Sequence, residues 1–129
     1  MDRTPMDLLV VGPQNQFREI FDYLESQENY RIHYAADYQL AAEYLKERVP
    51  GAIVLTIRVD ERSFMEEMEW LDIMKNVAPV LVLSPLGDPH LYKNAMTHGA
   101  FDFFTAWAPP DEIDRELGRA TSLQPCQVA

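Results

Sequence analysis

The sequence predicts a doubly wound α/β domain, in which a parallel sheet carries helices on both of its faces. Short apolar runs, which are typical of strands buried on both faces, alternate with segments whose apolar residues recur every three or four positions, as in amphipathic helices. Five runs and five such segments follow one another at the spacing of β-α-β crossovers, which favours a parallel sheet. The 129 residues fit one domain, and their hydrophobic fraction of 47% is typical of a globular protein.

The predicted strands are short, and the clearest of them end at residues that interrupt extended structure. The first stops at Gly12-Pro13 and the fourth at Ser84-Pro85, while Gly51 precedes the third. Proline cannot donate a ladder hydrogen bond, so these residues mark the strand boundaries. The five predicted strands cover residues 8–11, 31–35, 52–55, 80–83 and 101–104.

The predicted helices lie between these strands and after the last one. They cover residues 15–27, 37–50, part of 58–75, 89–98 and 111–121. Gly99 is expected to stop the fourth helix, and a proline pair followed by acidic residues is typical of the start of the fifth. The apolar stripes expected to face the core are Phe17, Ile20, Phe21 and Leu24 in the first helix, Leu40, Ala41, Tyr44 and Leu45 in the second, and Phe64, Met65, Met68, Leu71 and Met74 in the third. Residues 122–129 show no periodicity and are expected to form a disordered tail.

The charge and composition exclude several classes of function. With 21 acidic and 11 basic residues the net charge is -10, and no stretch concentrates lysine and arginine, so this domain is not expected to bind nucleic acid directly. No apolar run approaches the roughly 20 residues that cross a bilayer, and the polar start does not resemble a secretory signal. The single cysteine, Cys126, excludes an internal disulfide and a cysteine-based zinc site. We therefore expect a cytoplasmic protein without membrane contact.

Several stretches resemble the receiver domain of two-component response regulators, the CheY-like superfamily. They are the first strand, Pro50-Gly51-Ala52-Ile53-Val54-Leu55, Pro79-Val80-Leu81-Val82-Leu83-Ser84, the run from Ala95 to Phe104 and the helix after Pro109-Pro110. The most specific is the pattern Ala-x-x-x-Gly-Ala-x-Asp-aromatic that begins at Ala95. The resemblance covers residues 6–121. It implies a flavodoxin-like fold whose five parallel strands lie in the order 2-1-3-4-5.

The resemblance also implies where the chemistry of a working receiver would lie. In that family two acids after strand 1 and an aspartate ending strand 3 hold a divalent metal, and the aspartate attacks phosphorus. A serine or threonine after strand 4 and a lysine after strand 5 bind the phosphoryl group. The corresponding positions here are Gly12, Pro13, Thr56, Ser84 and Ala106. Only Ser84 keeps its functional group, so we expect a pseudo-receiver with no catalytic residues, no metal, no cofactor and no enzyme activity.

Two ways of rebuilding a reactive site are open at the level of sequence. Asp60, Glu61 and Asp88 are predicted in loops on the same edge of the sheet, where they could form a relocated metal site. Acids in solvated loops are usually only solvated, which argues against this. A separate kinase could phosphorylate Thr56, but a residue that ends a core strand is poorly presented to another enzyme.

Two aromatic residues near the end of the chain have particular positions in the resemblance. Phe103 takes the place of the aromatic switch residue, which swings inward in working receivers when the phosphoryl group is bound. Without that group the movement has no driving force, so Phe103 is expected to stay packed. Trp107 stands where a proline normally follows the lysine. We expect its indole to fill the empty pocket, and the alternative is that it protrudes as a binding anchor.

The leading functional hypothesis is signalling by protein–protein interaction without phosphorylation. The resemblance implies a homodimer or partner contact through the fourth helix, fifth strand and fifth helix. The residues expected on or near this surface are Tyr92, Phe101, Phe103, Trp107 and Arg115. The alternative is a small-ligand sensor whose degenerate pocket is lined by Thr56, Ser84 and Trp107. An unconventional enzyme is not favoured, because no acid, base and nucleophile are clustered.

Overall fold

Strands and helices alternate along the chain in the computed structural model, which describes residues 5–122. The strands are β1 (Met6–Val11), β2 (Tyr30–Ala35), β3 (Ala52–Thr56), β4 (Val80–Ser84) and β5 (Asp102–Thr105). The α-helices are α1 (Arg18–Ser26), α2 (Tyr38–Leu45), α3 (Glu61–Met74), α4 (Pro89–Thr97) and α5 (Pro110–Ser122). A short 3-10 helix (Asn15–Phe17) precedes α1. All ten predicted elements are therefore present.

The five strands form one parallel sheet in the order β2-β1-β3-β4-β5. This confirms the doubly wound fold and the strand order that the family resemblance implies. The direction of winding reverses between β1 and β3, which is where open α/β sheets usually place their binding sites. Every residue of β3 and β4 is buried, since these central strands are covered on both faces.

The core has one layer on each face of the sheet. On one face β1, β3 and β4 pack against α1 and α5, through residues such as Val10, Phe21 and Leu117. On the other face they pack against α2, α3 and α4, through residues such as Leu55, Leu71 and Ala95. Successive strand side chains alternate between the two layers because the strand period is two. Within residues 5–122, no helix is both long and apolar enough to cross a membrane.

The helix stripes were predicted correctly except at two positions. Leu40 is 53% exposed and Met65 is 72% exposed, so both predictions are wrong. The short helix α2 turns Ala41 inward, and the inward-facing positions of α3 include Glu67 instead of Met65. Helical spacing admits several neighbouring stripes, and the sheet below selects one of them.

Several boundaries also differ from the prediction. The first strand begins at Met6 and not at residue 8, and α2 ends at Leu45 and not at residue 50. The fifth strand covers Asp102–Thr105 and not residues 101–104, and the last helix continues through Ser122. Ser122, which was predicted to lie in the tail, is therefore the last residue of α5. Residues 123–129, which include Cys126, lie outside the described residues.

Candidate functional site at the carboxyl edge of the sheet

The carboxyl edge of the sheet brings together the positions that the resemblance identified. Val11 pairs with Leu55, so Gly12 and Thr56 follow as neighbours where β1 and β3 end. Thr56 pairs with Leu83 and Ser84 pairs with Thr105, which places the ends of β4 and β5 beside them. The loops after β1 and β5 then add Pro13 and Ala106.

Thr56 occupies the space into which a side chain at position 12 would extend. Its φ is +111°, and a Cβ atom on this backbone would lie 2.4 Å from both the carbonyl oxygen and the Oγ1 atom of Thr56. Two features therefore exclude a side chain at position 12. The positive φ is strained for a residue with a Cβ atom, and that atom would clash with Thr56. Thr56 is fully buried, and its hydroxyl donates a hydrogen bond to the Val11 carbonyl oxygen at 3.3 Å. The ends of β1 and β3 are therefore packed directly against each other, at Gly12 and Thr56.

The Ser84 hydroxyl is also turned inward. It donates to the Leu86 carbonyl oxygen at 2.7 Å and accepts from the Leu86 amide at 3.0 Å. Both bonds belong to the loop between β4 and α4, and the serine is fully buried. Ala106 packs against the α1–α5 layer. In this conformation the hydroxyls of Thr56 and Ser84 are occupied within the protein.

Two of the acids considered for a relocated metal site cap helices instead. The Asp60 carboxylate accepts a hydrogen bond from the Ser63 amide at 2.8 Å, and this bond holds the pKa of Asp60 below its usual range. Asp88 accepts from the His90 amide at 2.7 Å. Such side chains satisfy amide groups that a helix start leaves unpaired. In the part of the chain that the structure describes, no three His, Cys, Asp or Glu side chains are grouped to hold a metal ion.

An open cleft of about 540 Å³ lies above these buried groups. Its lining differs from the pocket predicted for a ligand sensor, because Thr56 and Ser84 lie below it and Trp107 lies beside it. The cleft is lined by Pro13, Asn15, Gln16, Arg58, Val59, Pro85 and Leu86. The predicted lining by Thr56, Ser84 and Trp107 is therefore wrong.

Trp107 does not fill the pocket. Its side chain is 69% exposed, whereas its neighbours Ala106 and Ala108 both pack against the α1–α5 layer. The small residues on either side turn inward, so the indole between them faces solvent. The prediction that Trp107 plugs the site is wrong, and its exposure agrees with the alternative of a binding anchor.

Phe103 is buried against the α2–α4 layer of the core. The Tyr92 ring contacts it edge to face, with ring centroids 5.7 Å apart. This geometry is favourable for aromatic pairs and holds Phe103 in its inward position. Phe103 therefore lies beneath the surface of the α4–β5–α5 face, and Tyr92 is the exposed member of the pair.

Charged side chains surround the other predicted residues of the α4–β5–α5 face. The Arg119 guanidinium lies 5.6 Å from the centre of the Phe101 ring, and Arg115 pairs with Asp111 at 3.7 Å. Asp102 and Glu116 share a hydrogen bond between their carboxyl groups. Burial and this bond raise the pKa of Asp102, while the same bond and Arg119 lower the pKa of Glu116. These two carboxyl groups, together with Arg115 and Arg119, give the face both signs of charge.

Glu67 is a buried carboxyl group that the sequence analysis missed. Only 2% of it is exposed, and burial raises its pKa to about 7, although the Arg58 amide partly opposes the shift. Its Oε2 atom accepts that amide hydrogen at 2.9 Å, and its Oε1 atom has no hydrogen-bond partner. Glu67 thereby ties α3 to the loop that follows β3. Its position three residues after Phe64 and four before Leu71 is a signal by which helical spacing could have found it.

The fold matches solved receiver domains over nearly the whole chain. The signal receiver domain of NarL from Mycobacterium tuberculosis is 18% identical with a TM-score of 0.75, and the match covers 95% of this chain and 100% of that one. A response regulator from Thermotoga maritima is 19% identical with a TM-score of 0.76, over 92% and 99% of the two chains. NtrX from Brucella abortus, solved with ADP, is 23% identical with a TM-score of 0.74, and the match covers 92% of this chain but 26% of NtrX.

Neither a family model nor a curated protein sequence matches the chain. The structural matches therefore define the class by its fold, which is that of response-regulator receiver domains. At these identities they establish the fold alone.

Proposed function

We propose that the chain is a degenerate receiver that acts in two-component-type signalling by binding other proteins, without accepting a phosphoryl group. The observation that carries this proposal is the contact between Gly12 and Thr56. It leaves no room for a carboxylate at position 12 and puts a buried, neutral hydroxyl where a receiver needs its nucleophile. Phosphoryl transfer to a carboxylate at this site then has neither a nucleophile nor the oxygen ligands that Mg²⁺ prefers.

The small-ligand sensor has less support. Its two hydroxyls, on Thr56 and Ser84, are already bonded to carbonyl oxygens of the chain. Opening them to a ligand would cost those hydrogen bonds. The absence of enzyme activity is part of the same proposal, since the inward-facing hydroxyls at this edge have no paired base.

The test is mass spectrometry after incubation with acetyl phosphate and Mg²⁺, with light scattering on the same samples. We expect no added phosphoryl mass and no change in oligomeric state. A receiver that keeps the strand-3 aspartate and the acidic pair serves as the control for the reagent. A stoichiometric gain of one phosphoryl mass would contradict the proposal, and fragmentation would then identify the accepting residue.

A further inference from the structure

An apolar patch crosses the carboxyl edge of the sheet, apart from the α4–β5–α5 face. We call it the carboxyl-edge patch, and it consists of Pro13, Val59, Pro85, Leu86 and Trp107. Leu86 is 49% exposed, and Val59 and Trp107 are also exposed large side chains. Exposed aromatic and aliphatic side chains of this kind act as anchors when they meet a partner.

The patch is continuous. Pro13, Val59 and Leu86 line one cleft, so the loops after β1, β3 and β4 contribute to the same surface. Gly87 then connects this cleft to Trp107, because a Cβ atom at Gly87 would lie 3.7 Å from the indole Cζ2 atom. The indole therefore lies close to the loop beside Leu86. A strip of apolar surface therefore runs from the end of β1 to the end of β5.

Internal hydrogen bonds hold the patch in shape before any partner binds. The Ser84 hydroxyl bonds both backbone groups of Leu86, and Glu67 bonds the amide of Arg58, next to Val59. Binding to a preformed surface has a lower entropic cost than binding to a loop that must first be ordered. The buried side chains of Ser84 and Glu67 thus stabilise the loops that carry the patch.

The charge around the patch selects the partner. Asp60 and Asp88 begin α3 and α4 at this edge, and Asp111 and Glu112 lie in the first turn of α5, shortly after Trp107. The cations near these acids are Arg58, which lines the cleft, Arg62, and Arg115, which pairs with Asp111 at 3.7 Å. Acidic residues outnumber basic ones in this group, and the net charge of the whole chain is -10. The electrostatic field of the protein therefore attracts a cationic partner and repels a second copy of the chain at this face.

We propose that the carboxyl-edge patch docks a basic peptide segment of a partner protein. An apolar side chain of that segment enters the cleft between Val59 and Leu86 and packs beside Trp107. Its lysine or arginine residues lie over Asp88 and the start of α5, on the side away from Arg58. This site is distinct from the α4–β5–α5 face and depends on the proposed function only in that the chain acts by binding proteins.

The experiment measures binding of a 14-residue amphipathic lysine–leucine peptide, labelled for fluorescence anisotropy, to the full chain. We expect Leu86→Ser and Trp107→Ala each to weaken binding by about tenfold or more, as truncation of an anchor does. Leu40→Ser on α2 removes a leucine of similar exposure that is not part of the patch, and it should change Kd less than about twofold. A peptide with glutamate in place of lysine should bind at least about tenfold more weakly.

Four outcomes would overturn the inference: no binding of the lysine–leucine peptide, equal binding by the patch variants, equal loss in Leu40→Ser, or a dimer that only the patch variants break. Leu86 and Trp107 are exposed, and thermal unfolding checks that the variants fold. Loss in Tyr92→Ser with no loss in Leu86→Ser would move the peptide to the α4–β5–α5 face. That result would contradict the peptide site proposed here but not the proposed function. Uptake of a phosphoryl group would contradict the proposed function but not the peptide site.

Discussion

A single buried carboxyl group makes stability depend on pH near neutrality. Glu67 is charged in the unfolded chain above its ordinary pKa of 4.5, but in the folded protein its pKa is about 7. The folded state therefore binds more protons than the unfolded state between these two values, and stability falls as the pH rises through that range. The full effect is on the order of 3 kcal/mol, because each tenfold change in proton affinity corresponds to about 1.4 kcal/mol.

Replacing Glu67 by glutamine should remove this dependence. At pH 8 we expect Glu67→Gln to raise the free energy of unfolding by about 1 to 3 kcal/mol, less than the full effect because the buried amide hydrogens lack partners. Below about pH 4.5 the gain should vanish, since the glutamate is then protonated. Urea unfolding at several pH values measures both quantities.

The neighbouring Glu66 provides the control, since its side chain is exposed on the same helix. Glu66→Gln should leave the pH profile of stability nearly unchanged. If the gain in stability of Glu67→Gln over the unchanged protein were no larger at pH 8 than at pH 4.5, the buried carboxyl would not be the source of the dependence.

At the scale of elements, the end of β1 is packed directly against the end of β3. This contact depends on Gly12, because a Cβ atom there would meet the backbone of Thr56 and not only a movable side chain. The two strands can approach only while position 12 has no side chain. Restoring an acid at position 12 alone would therefore disrupt the sheet edge and not rebuild a metal site.

We expect Gly12→Ala to lower the free energy of unfolding by about 3 kcal/mol or more, since it adds both a strained backbone and a buried clash. Gly118→Ala is the matched control, because a Cβ atom at Gly118 in α5 meets nothing within 4 Å. That change should instead stabilise the protein by about 0.5 to 1 kcal/mol through helix propensity. Chemical unfolding of both variants tests the pair, and equal effects would contradict the assigned contact.

At the scale of the whole molecule, the α4–β5–α5 face and the carboxyl edge differ in the charges that they would present to a second copy of the chain. The α4–β5–α5 face carries Lys93, Arg115 and Arg119 beside Asp102 and Glu116, so a second copy can place opposite charges together there. The carboxyl edge is mainly acidic and cannot do so. A homodimer, if the net charge of -10 permits one, should therefore form through α4, β5 and α5.

We expect light scattering over a concentration series to detect such a dimer. Tyr92→Ser should raise the dissociation constant about tenfold, because Tyr92 is the exposed aromatic of that face. Leu40→Ser, on α2, should leave it unchanged. A chain that remains monomeric into the millimolar range would contradict the homodimer.

Much of the fold was predictable because local signals and burial agreed. The apolar runs of β3 and β4 and the stop at Gly99 correspond to the structure, where Gly99 has φ +99° at the end of α4. The residue types at Gly12, Pro13, Thr56 and Ala106 could be read directly from the sequence. No packing information is needed to see that these side chains have no carboxylate or amine.

Other features depended on which neighbours tertiary packing supplied. Helical spacing puts Glu67 on the stripe of Phe64 and Leu71, but its charge argues against burial, and only the placement of α3 over the sheet shows that it is buried while Glu66 is exposed. Trp107 was expected inside and lies outside, because Ala106 and Ala108 take the inward positions in that loop.

The sequence by itself thus determined the doubly wound fold and the residue types at the receiver positions, since these depend on periodicity and on the identity of single side chains. Only the tertiary structure decided that Gly12 closes on Thr56, that the remaining hydroxyls bond inward and that Trp107 joins Leu86 on an exposed patch. These features arise between residues far apart in the chain, and their geometry follows from how the strands and loops pack.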